Sequence, residues 1–347
     1  MKRFSEYVSP GHPDKIADYI SQDLLDRYIE HDPHTRYAVE VQVNEGHIYL
    51  GGEITSKYTC PDVRPVVMDA LRSIGYTEEY NKRWGAFSTP LDIQFNVKEQ
   101  SEGIAAGVPN GWGDQGIFYG YANPNPDTCG MPLEHTLARR IVKRLYDERV
   151  GGIDIKAEVI TNDGQVETVI VAVPLFAPKD EAIQTIIRNE VSKLQPQSSL
   201  NIRIIINGTG NFVKHGPAAD CGTTGRKLVA DFYGGGIPIG GGCPWTKDGT
   251  KADLTLNLLA RRLALQAARG YEREIYTSIA CCIGRPEVEI SYRDADGPMA
   301  SLTKVIRPEE LIREYRLDTP IYASMCMWGL FGEFQQGKAW ETITRTK

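Results

Sequence analysis

The sequence predicts an α+β fold, in which helices and strands are mixed and several strands follow each other as hairpins. Residues 36–43 alternate between apolar and polar side chains, and 47–53 continue as the partner strand across a turn. A second hairpin is predicted across the turn at 162–164, and an apolar strand follows at 200–206. These strand pairs, set between helical segments, indicate layers of sheet and helix.

Apolar residues at a spacing of four predict the helices. The first helix opens at Pro13, which suits the first helical position, and Ile16, Ile20 and Leu24 share one face. Further helices are predicted at 62–74, from 133, at 180–194, 253–268 and 308–315, and further strands at 91–97, from 154, at 166–173, 275–283 and 288–292. We expect Gly75 to end the second helix and Gly270 to end the helix at 253–268.

Three motif aspartates, Asp14, Asp114 and Asp220, lie about 100 residues apart. A fixed period of this kind is a mark of repeated structural units. The spacing therefore hints at a threefold internal repeat in a chain of 347 residues, a length that allows two or three domains.

Composition excludes several classes of protein. The net charge of −6 argues against a general nucleic-acid binder, whose surface would be basic. The amino-terminal segment lacks an apolar leader, and no apolar run is long enough for a membrane span. The seven cysteines are scattered without a C-x-x-C pair, so reduced thiols in a cytoplasmic protein are expected, not disulfides or zinc.

Glycine is strongly enriched between residues 207 and 253, and charged residues are placed among the glycines. The cations are Lys214, Arg226, Lys227, Lys247 and Lys251, and the carboxylates are Asp220, Asp248 and Asp253. Close-approaching backbone N–H groups and several cations are what a polyphosphate requires, and nearby carboxylates suggest a bridging Mg²⁺. A turn-rich surface loop is the plainer alternative. The standard P-loop and dinucleotide motifs are absent, so a nucleotide would bind in another way.

Other charged residues also allow two interpretations. His12 and Asp14 stand at a helix start, which is either an ordinary amino terminus or a place to meet an anion. Glu40 and Glu53 fall on the polar face of the first hairpin, where solvent-facing carboxylates are usual. Cys221 lies inside the glycine-rich motif without a neighbouring histidine, so packing is favoured over a nucleophilic role.

These segments together resemble the S-adenosylmethionine synthetase (methionine adenosyltransferase) family. Residues 216–227 read G-x-x-x-D-C-G-x-T-G-R-K, Y-G-G follows at 233–235, and 240–253 read G-G-G-x-x-x-x-K-D-x-x-K-x-D. The shorter family signatures G-H-P-D-K and G-D-Q-G occur at 11–15 and 113–116. Motifs this long, separated by about 200 residues, identify the chain as a somewhat divergent member of the family.

The resemblance implies three similar α/β-layer domains around a pseudo-threefold axis. They are predicted at 1–98, 111–215 and 216–347, and 99–110 corresponds to the family's gate over the active site, here shortened. The resemblance also implies active sites between subunits, and hence a homodimer or homotetramer. ATP and L-methionine are the implied small-molecule partners, with no nucleic acid and no membrane involved.

The implied reaction joins the methionine sulfur to C5′ of ATP, and the leaving tripolyphosphate is then cleaved to diphosphate and phosphate. A thioether needs no general base, so the main task is to stabilise the leaving group and hold an in-line geometry. Mg²⁺, in two copies, and K⁺ are the implied cofactors.

The family's functional residues have matches in this sequence. The implied catalytic set is His12, Lys156, Arg226, Lys227, Lys247 and Lys251. The implied ATP-binding set is His12, Asp154, Lys156, Asn211, Phe212, Arg226, Lys227, Cys243 and Lys247. Methionine binding is implied at Glu53, Gln100, Asp220 and Lys251, Mg²⁺ binding at Asp14 and Asp253, and K⁺ binding at Glu40.

The chain departs from the family pattern near the nucleoside. Asn211 replaces a basic residue, 243–246 replace smaller residues, and 174–176 replace a polar run. The sequence therefore predicts retained phosphate chemistry with less strict selection of the base.

Two other functions are alternatives to the synthetase. A Mg²⁺-dependent tripolyphosphate or nucleotide hydrolase would not need Glu53, Gln100 or Asp220, yet all three are present. A non-catalytic regulatory subunit would be expected to lose His12, Asp14 or the lysines, and none is lost.

Overall fold

The computed structural model describes residues 1–99, 111–198 and 201–342. Within these ranges the helices are α1 (Pro13–His31), α2 (Arg64–Ile74), α3 (Glu78–Trp84), α4 (Leu133–Asp147), α5 (Asp180–Leu194), α6 (Leu228–Asp231), α7 (Ala252–Tyr271), α8 (Pro308–Tyr315) and α9 (Tyr322–Cys326). The strands are β1 (Lys2–Val8), β2 (Arg36–Asn44), β3 (His47–Thr55), β4 (Asp92–Lys98), β5 (Gly116–Ala122), β6 (Lys156–Asn162), β7 (Gln165–Ala172), β8 (Arg203–Ile206), β9 (Gly222–Thr223), β10 (Ile275–Cys281), β11 (Glu287–Asp294) and β12 (Gly297–Val305).

The described strands form three sheets of four strands each, and every sheet contains a hairpin that follows a long helix. The strand orders are β4-β3-β2-β9, β1-β6-β7-β8 and β12-β11-β10-β5. A long helix precedes each hairpin: α1 before β2, α4 before β6 and α7 before β10. The predicted α+β fold with a threefold arrangement is thus confirmed.

Each sheet is completed by a strand from another part of the chain. β1 pairs antiparallel with β6, β5 with β10, and β9 with β2. Each of the predicted domains 1–98, 111–215 and 216–347 therefore gives its first strand to another domain, and the exchange closes into a cycle. The precise domain bounds stay predictions, and all but residue 99 of the segment 99–110 lies outside the described residues.

The direction of the last strand in each sheet depends on how that strand is connected to its neighbour. β4 and β8 run parallel to β3 and β7, because α2 with α3, and α5, supply the crossover that a parallel pair requires. β11 and β12 are joined by a short turn at 294–297 and are antiparallel. This direct connection makes the third sheet differ from the other two.

Most predicted elements are found close to their predicted bounds, with instructive exceptions. Gly75 ends α2 in the left-handed conformation, with φ of 110°. Gly270 was predicted to end α7, but it lies in the last helical turn, and the left-handed residue is Glu272 with φ of 54°. The strand predicted at 200–206 begins at Arg203, and Leu200 lies outside the described residues.

Only two of the three motif aspartates occupy equivalent places in the repeated unit. Asp114 and Asp220 each precede an exchanged strand, β5 or β9, by two residues. Asp14 instead follows β1 and lies in the first turn of α1. The spacing of about 100 residues reflects the repeated unit, but Asp14 does not occupy the equivalent place.

The apolar face predicted for α1 lies in the main core. Ile16, Ile20 and Leu24 have no exposed surface, and Trp112 and Trp245 are buried in the same cluster. All seven cysteines are free thiols, as expected. In the described ranges, no helix is both long and apolar enough to span a membrane.

Candidate active site

Three segments of the chain meet at the amino terminus of α1. Ser9 N–H donates to the Ile155 carbonyl at 2.9 Å, which brings the segment before α1 to the start of β6. Thr223 N–H donates to the Asp14 carboxylate at 2.9 Å, which brings β9 to the same place. Gly222 has no room for a Cβ, because the Pro13 carbonyl occupies that space. The cyclic exchange of β1 and β9 thus assembles residues from all three predicted domains.

Asp14 is the centre of this assembly. Its side chain is buried, and its carboxylate contacts Lys227 Nζ at 2.5 Å and Arg226 Nε at 3.6 Å. Asp14 is compensated by these two cations and by the Thr223 N–H, as a buried carboxylate must be. The side chains of Lys227 and Arg226 keep 18% and 54% of their surface exposed, so both cations can also reach a ligand.

His12 caps α1 and points a hydrogen-bond donor away from it. Its Nδ1 accepts the Asp14 N–H at 3.1 Å, so the proton of the neutral ring lies on Nε2. Burial, assisted by the positive charge of Lys227, lowers the pKa of His12 to about 4. At neutral pH the ring is therefore uncharged and presents an Nε2–H donor.

Asp154 and Lys156 approach from the start of β6. The Asp154 carboxylate accepts the Gly216 N–H at 2.9 Å, and burial raises its pKa to about 7, with the nearby charge of Asp220 acting in the same direction. Lys156 forms ion pairs with Glu6 and, at 3.5 Å, with Glu158. Partial burial acts to lower the pKa of Lys156, but these carboxylates raise it overall, so the amine stays charged.

A second group of predicted site residues lies on one rung of the first sheet. Ala38 of β2 is opposite Glu53 of β3 on one side and opposite Lys247 on the other. Glu53 is in turn opposite Lys98 of β4, and their side chains form an ion pair at 3.4 Å. Residues paired across strands share a face of the sheet, so Glu53 and Lys247 are presented on the same side.

Asp253 and Lys251 stand at the start of α7, close to this rung. Lys247 Nζ forms an ion pair with the Asp253 carboxylate, and Lys251 occupies the position just before the first helical residue. The Asp253 carboxylate also lies against Gly242, at the position a Cβ would take. Glycine at 242 is thus needed for this close approach.

The segment 222–227 connects the two groups. After Thr223, Thr224 Oγ1 donates to the Glu40 carboxylate, and Gly225 packs on the Cys243 sulfur. Burial raises the pKa of the Cys243 thiol well above its usual range, so Cys243 is a neutral packing group. Lys227, at the end of the segment, then reaches Asp14.

The remaining residues predicted to bind the nucleoside or methionine are Phe212, Asn211, Asp220 and Gln100. The Phe212 carbonyl accepts the Leu175 N–H at 2.7 Å, and the Phe212 ring centre is 6.4 Å from that of His215, one residue before Gly216. Asn211 and Asp220 are exposed. Gln100 lies outside the described residues.

Comparisons with known proteins match the whole length of the chain. Models of the S-adenosylmethionine synthetase amino-terminal, central and carboxy-terminal domains match residues 2–102, 109–212 and 214–342. An S-adenosylmethionine synthase of Kosmotoga olearia is 35% identical over 379 residues, covering 98% of this chain and 95% of the relative. The chain belongs to the S-adenosylmethionine synthetase family.

Further similarities support the S-adenosylmethionine synthetase fold and class. An S-adenosylmethionine synthase of Deinococcus deserti is 32% identical over 404 residues, covering 100% of this chain and 98% of the relative. A solved structure described as an unusual S-adenosylmethionine synthetase from Campylobacter jejuni aligns with a TM-score of 0.84 and 28% identity, over 98% of this chain and 96% of that one. The predicted enzyme class, a methionine adenosyltransferase, is confirmed by this membership.

Asp14 and Asp253 are the carboxylates predicted to bind Mg²⁺ in this synthetase family member. The described residues contain no cluster of three or more histidine, cysteine, aspartate or glutamate side chains that could hold a metal. Asp14 and Asp253 each face a lysine instead, and the Gly242 backbone cradles Asp253. Such single carboxylates fit Mg²⁺, which takes one or two carboxylates and completes its shell with phosphate oxygens and water.

Sequence reasoning missed a buried charged cluster directly behind the site. Lys15 Nζ contacts the Asp231 carboxylate at 2.7 Å and the Asp18 carboxylate at 3.2 Å, and it lies 4.9 Å from the centre of the Trp245 ring. Asp18 Oδ1 also accepts the Gly225 N–H at 2.8 Å. The cluster therefore holds the segment that carries Arg226 and Lys227. Its signal in the sequence was a lysine and an aspartate three residues apart in the first helix, a spacing that brings the two side chains together.

Proposed function

We propose that this chain makes S-adenosylmethionine from ATP and L-methionine through the site at the start of α1. The observation that carries the proposal is the pairing of Asp14 with Lys227 and Arg226, beside the uncharged donor of His12. A helix amino terminus with partly exposed cations and a neutral donor is suited to a polyphosphate leaving group. Family membership supplies the substrates.

In the proposed reaction, a lone pair of the methionine sulfur forms the bond to C5′ of ATP. The bond from C5′ to the triphosphate oxygen breaks, and its electrons leave with the tripolyphosphate, which is afterwards hydrolysed to diphosphate and phosphate. His12 Nε2–H donates to the departing oxygen. Lys227, Arg226 and Lys247 stabilise the developing negative charge, and Lys156 and Lys251 complete the cationic set.

Substrate binding divides between the two groups of residues. Asp154 lies at the ATP side with Phe212 and Asn211, and Cys243 packs nearby against Gly225. For methionine, we assign Glu53, Gln100 and Asp220, with Lys251 close to the same ligand. A carboxylate for the α-amino group and a cation for the α-carboxylate give charge-assisted hydrogen bonds at both ends.

Mg²⁺, in two copies, would be held by Asp14 and Asp253, and K⁺ by Glu40, whose carboxylate already accepts a hydrogen bond from Thr224. When bound, these ions neutralise phosphate oxygens that the side chains alone leave charged. We further propose a cytoplasmic homodimer or homotetramer with active sites at the subunit interface. An active, strictly monomeric species on size-exclusion chromatography would contradict this assembly.

A single incubation tests the proposed activity. Purified protein with ATP, methionine, Mg²⁺ and K⁺ should yield S-adenosylmethionine, phosphate and diphosphate by mass spectrometry, and no sulfonium product without methionine. Asp14→Asn and Lys251→Ala should each lower turnover by about a hundredfold or more, because the first weakens a proposed Mg²⁺ ligand and the second removes a cation that stabilises the leaving group. Phosphate release without S-adenosylmethionine would instead indicate a hydrolase.

A separate hypothesis is that the enzyme selects the nucleobase less strictly than its family does. It rests on Asn211 and the apolar residues 174–176. Product formation with ATP, GTP and CTP at equal concentration measures it. Measurable turnover of GTP or CTP is expected, and strict dependence on ATP would refute the hypothesis.

A further inference from the structure

A cavity of about 600 Å³ lies outside the proposed active site. Its walls are α2 and α3 on one side and the loops at 149–151 and 175–179 on the other. None of the described residues assigned above as ligands of ATP, methionine or metal lines it, but Leu175 and Phe176, from the segment 174–176 on which the base-selection hypothesis rests, do. The volume is in the range of pockets that hold small molecules and cofactors.

The cavity wall is strongly cationic. Arg72, Arg83, Arg149 and Lys179 line it, and Glu79 is the acidic residue among the lining side chains of the described chain. Arg149 is held in place: its guanidinium lies 4.3 Å from the centre of the Tyr146 ring and against Gly75 at the end of α2. Planar guanidinium groups held in this way suit bidentate contacts with phosphate.

Another part of the cavity wall is aromatic. The Trp84 ring stacks on Phe176, with centres 4.0 Å apart and planes 15° apart, and on its other side it is 6.0 Å from Tyr80. Arg83 lies 5.5 Å from Trp84 and 5.6 Å from Phe176. Phe176 closes the stack and remains 55% exposed, although large apolar side chains are usually covered. A flat ring could therefore continue the stack on its outer face.

We propose that this cavity is a second ligand site, and that its ligand is a nucleotide. The base would stack at Phe176, and the phosphates would bind Arg83, Arg149, Arg72 and Lys179. The combination decides the class, because an anion alone would not require the exposed aromatic stack and an apolar ligand would not require four cations.

The site adjoins the proposed active site through Tyr80. The Tyr80 hydroxyl accepts the Ile153 N–H at 2.8 Å and lies 2.5 Å from His215 Nε2. Ile153 precedes Asp154, and His215 precedes Gly216, the backbone donor to Asp154. Tyr80, which lines the cavity, therefore contacts the segments on both sides of Asp154, the residue assigned to ATP binding.

Calorimetric titration with ADP tests the proposal, in a protein whose active-site phosphate cations are removed by Arg226→Ala together with Lys227→Ala. Saturable binding at one site per chain is expected to remain. Adding Arg83→Gln and Arg149→Gln should weaken this binding at least tenfold, because two charged hydrogen-bond donors are lost. Inorganic diphosphate should bind about tenfold more weakly than ADP, because it lacks the ring that stacks.

Two controls keep the result specific to the cavity. Arg293→Gln removes an arginine stacked 4.0 Å over Tyr276 elsewhere, and it should leave ADP binding unchanged. Phe176→Ala alters an exposed side chain, so it should retain the wild-type unfolding midpoint while weakening ADP binding several-fold. Loss of all ADP binding on removal of Arg226 and Lys227, no effect of the cavity substitutions, or equal affinity for ADP and diphosphate would each overturn the proposal.

Discussion

Asp14 and Lys15 are neighbours in the first turn of α1, and both are buried, but they belong to two different kinds of ion pair. Asp14 faces Lys227 and Arg226, which retain exposed surface. Lys15 faces Asp231 and Asp18, which have none. One peptide bond thus separates charges that a ligand can reach from charges that are sealed in the core.

The two ion pairs differ in whether a ligand can replace one of the partners. Under the proposed function, Lys227 would leave Asp14 for a phosphate oxygen and a metal ion would take its place at the carboxylate, so Asp14 would be neutralised whether the site is empty or occupied. Lys15 has no such alternative partner, and burial without Asp231 would be unfavourable. The carboxylates raise the pKa of Lys15 far above its usual range despite burial, so the amine stays charged. We therefore expect the first pair to govern turnover and the second to govern stability.

The largest expected effect comes from breaking the sealed pair. Lys15→Ala leaves Asp231 and Asp18 buried without their cation, and we expect the free energy of unfolding to fall by about 3–5 kcal/mol. Denaturant unfolding at neutral pH measures it. Lys2→Ala, which removes an exposed pair with Glu167, is the matched control and should change the free energy by less than about 1 kcal/mol. Equal effects of the two substitutions would contradict the distinction.

The reachable pair should give the opposite result. Lys227→Ala removes a charge placed opposite the leaving group, and we expect turnover to fall by about 100- to 1,000-fold. Asp14 keeps the Thr223 N–H and Arg226, so the loss of unfolding free energy should be much smaller than for Lys15→Ala. Steady-state kinetics and denaturant unfolding on the same preparation check both parts. A large loss of stability with normal turnover would reverse our assignment.

Asp154 sharpens the comparison because it is a half-buried carboxylate with no ion-pair partner within 4 Å in the described part of the chain. Its pKa of about 7 lies above its ordinary value of 3.8. The folded state therefore holds the proton more firmly, and stability falls as pH rises from about 4 to 7. Asp154→Asn removes this cost, so we expect it to be more stable than wild type at pH 8, by on the order of 2 kcal/mol, and similar at pH 4.

Thermal or denaturant unfolding of both proteins at pH 4 and pH 8 measures the Asp154 effect. If the difference between the two proteins does not grow with pH, Asp154 is not protonated by burial in the folded state. Turnover is expected to fall in Asp154→Asn at either pH, since the residue is assigned to ATP binding.

Hydrophobic spacing predicted the elements that bury an apolar face and missed those that do not. α5 and α8 begin and end at the predicted residues. α3 has no buried residue, so it has no apolar period, although Thr77 caps it and Gly85 ends it in the left-handed conformation. β12 is mostly exposed along its length and likewise gave no alternation.

Part of the candidate site could be named in advance because the motif residues are close to each other in sequence. Arg226 and Lys227 follow β9 directly, and His12 and Asp14 open α1. The contact between Lys15 and Asp231 could not be predicted, because 216 residues separate the two and no local pattern relates them. The cavity lined by Trp84 and Phe176 also depends on distant segments, one of which is the unpredicted α3.

The cyclic exchange of strands has a consequence for the growing polypeptide. β1 is made first, but its partner β6 begins only at Lys156. At a synthesis rate of about 5–20 residues per second, the first strand waits roughly 7 to 30 seconds for that partner. Lys2, Arg3 and Glu6 place charges on this strand, and charged edges resist pairing with other chains. The amino-terminal strand is thus equipped to remain soluble on the ribosome until the middle of the chain emerges.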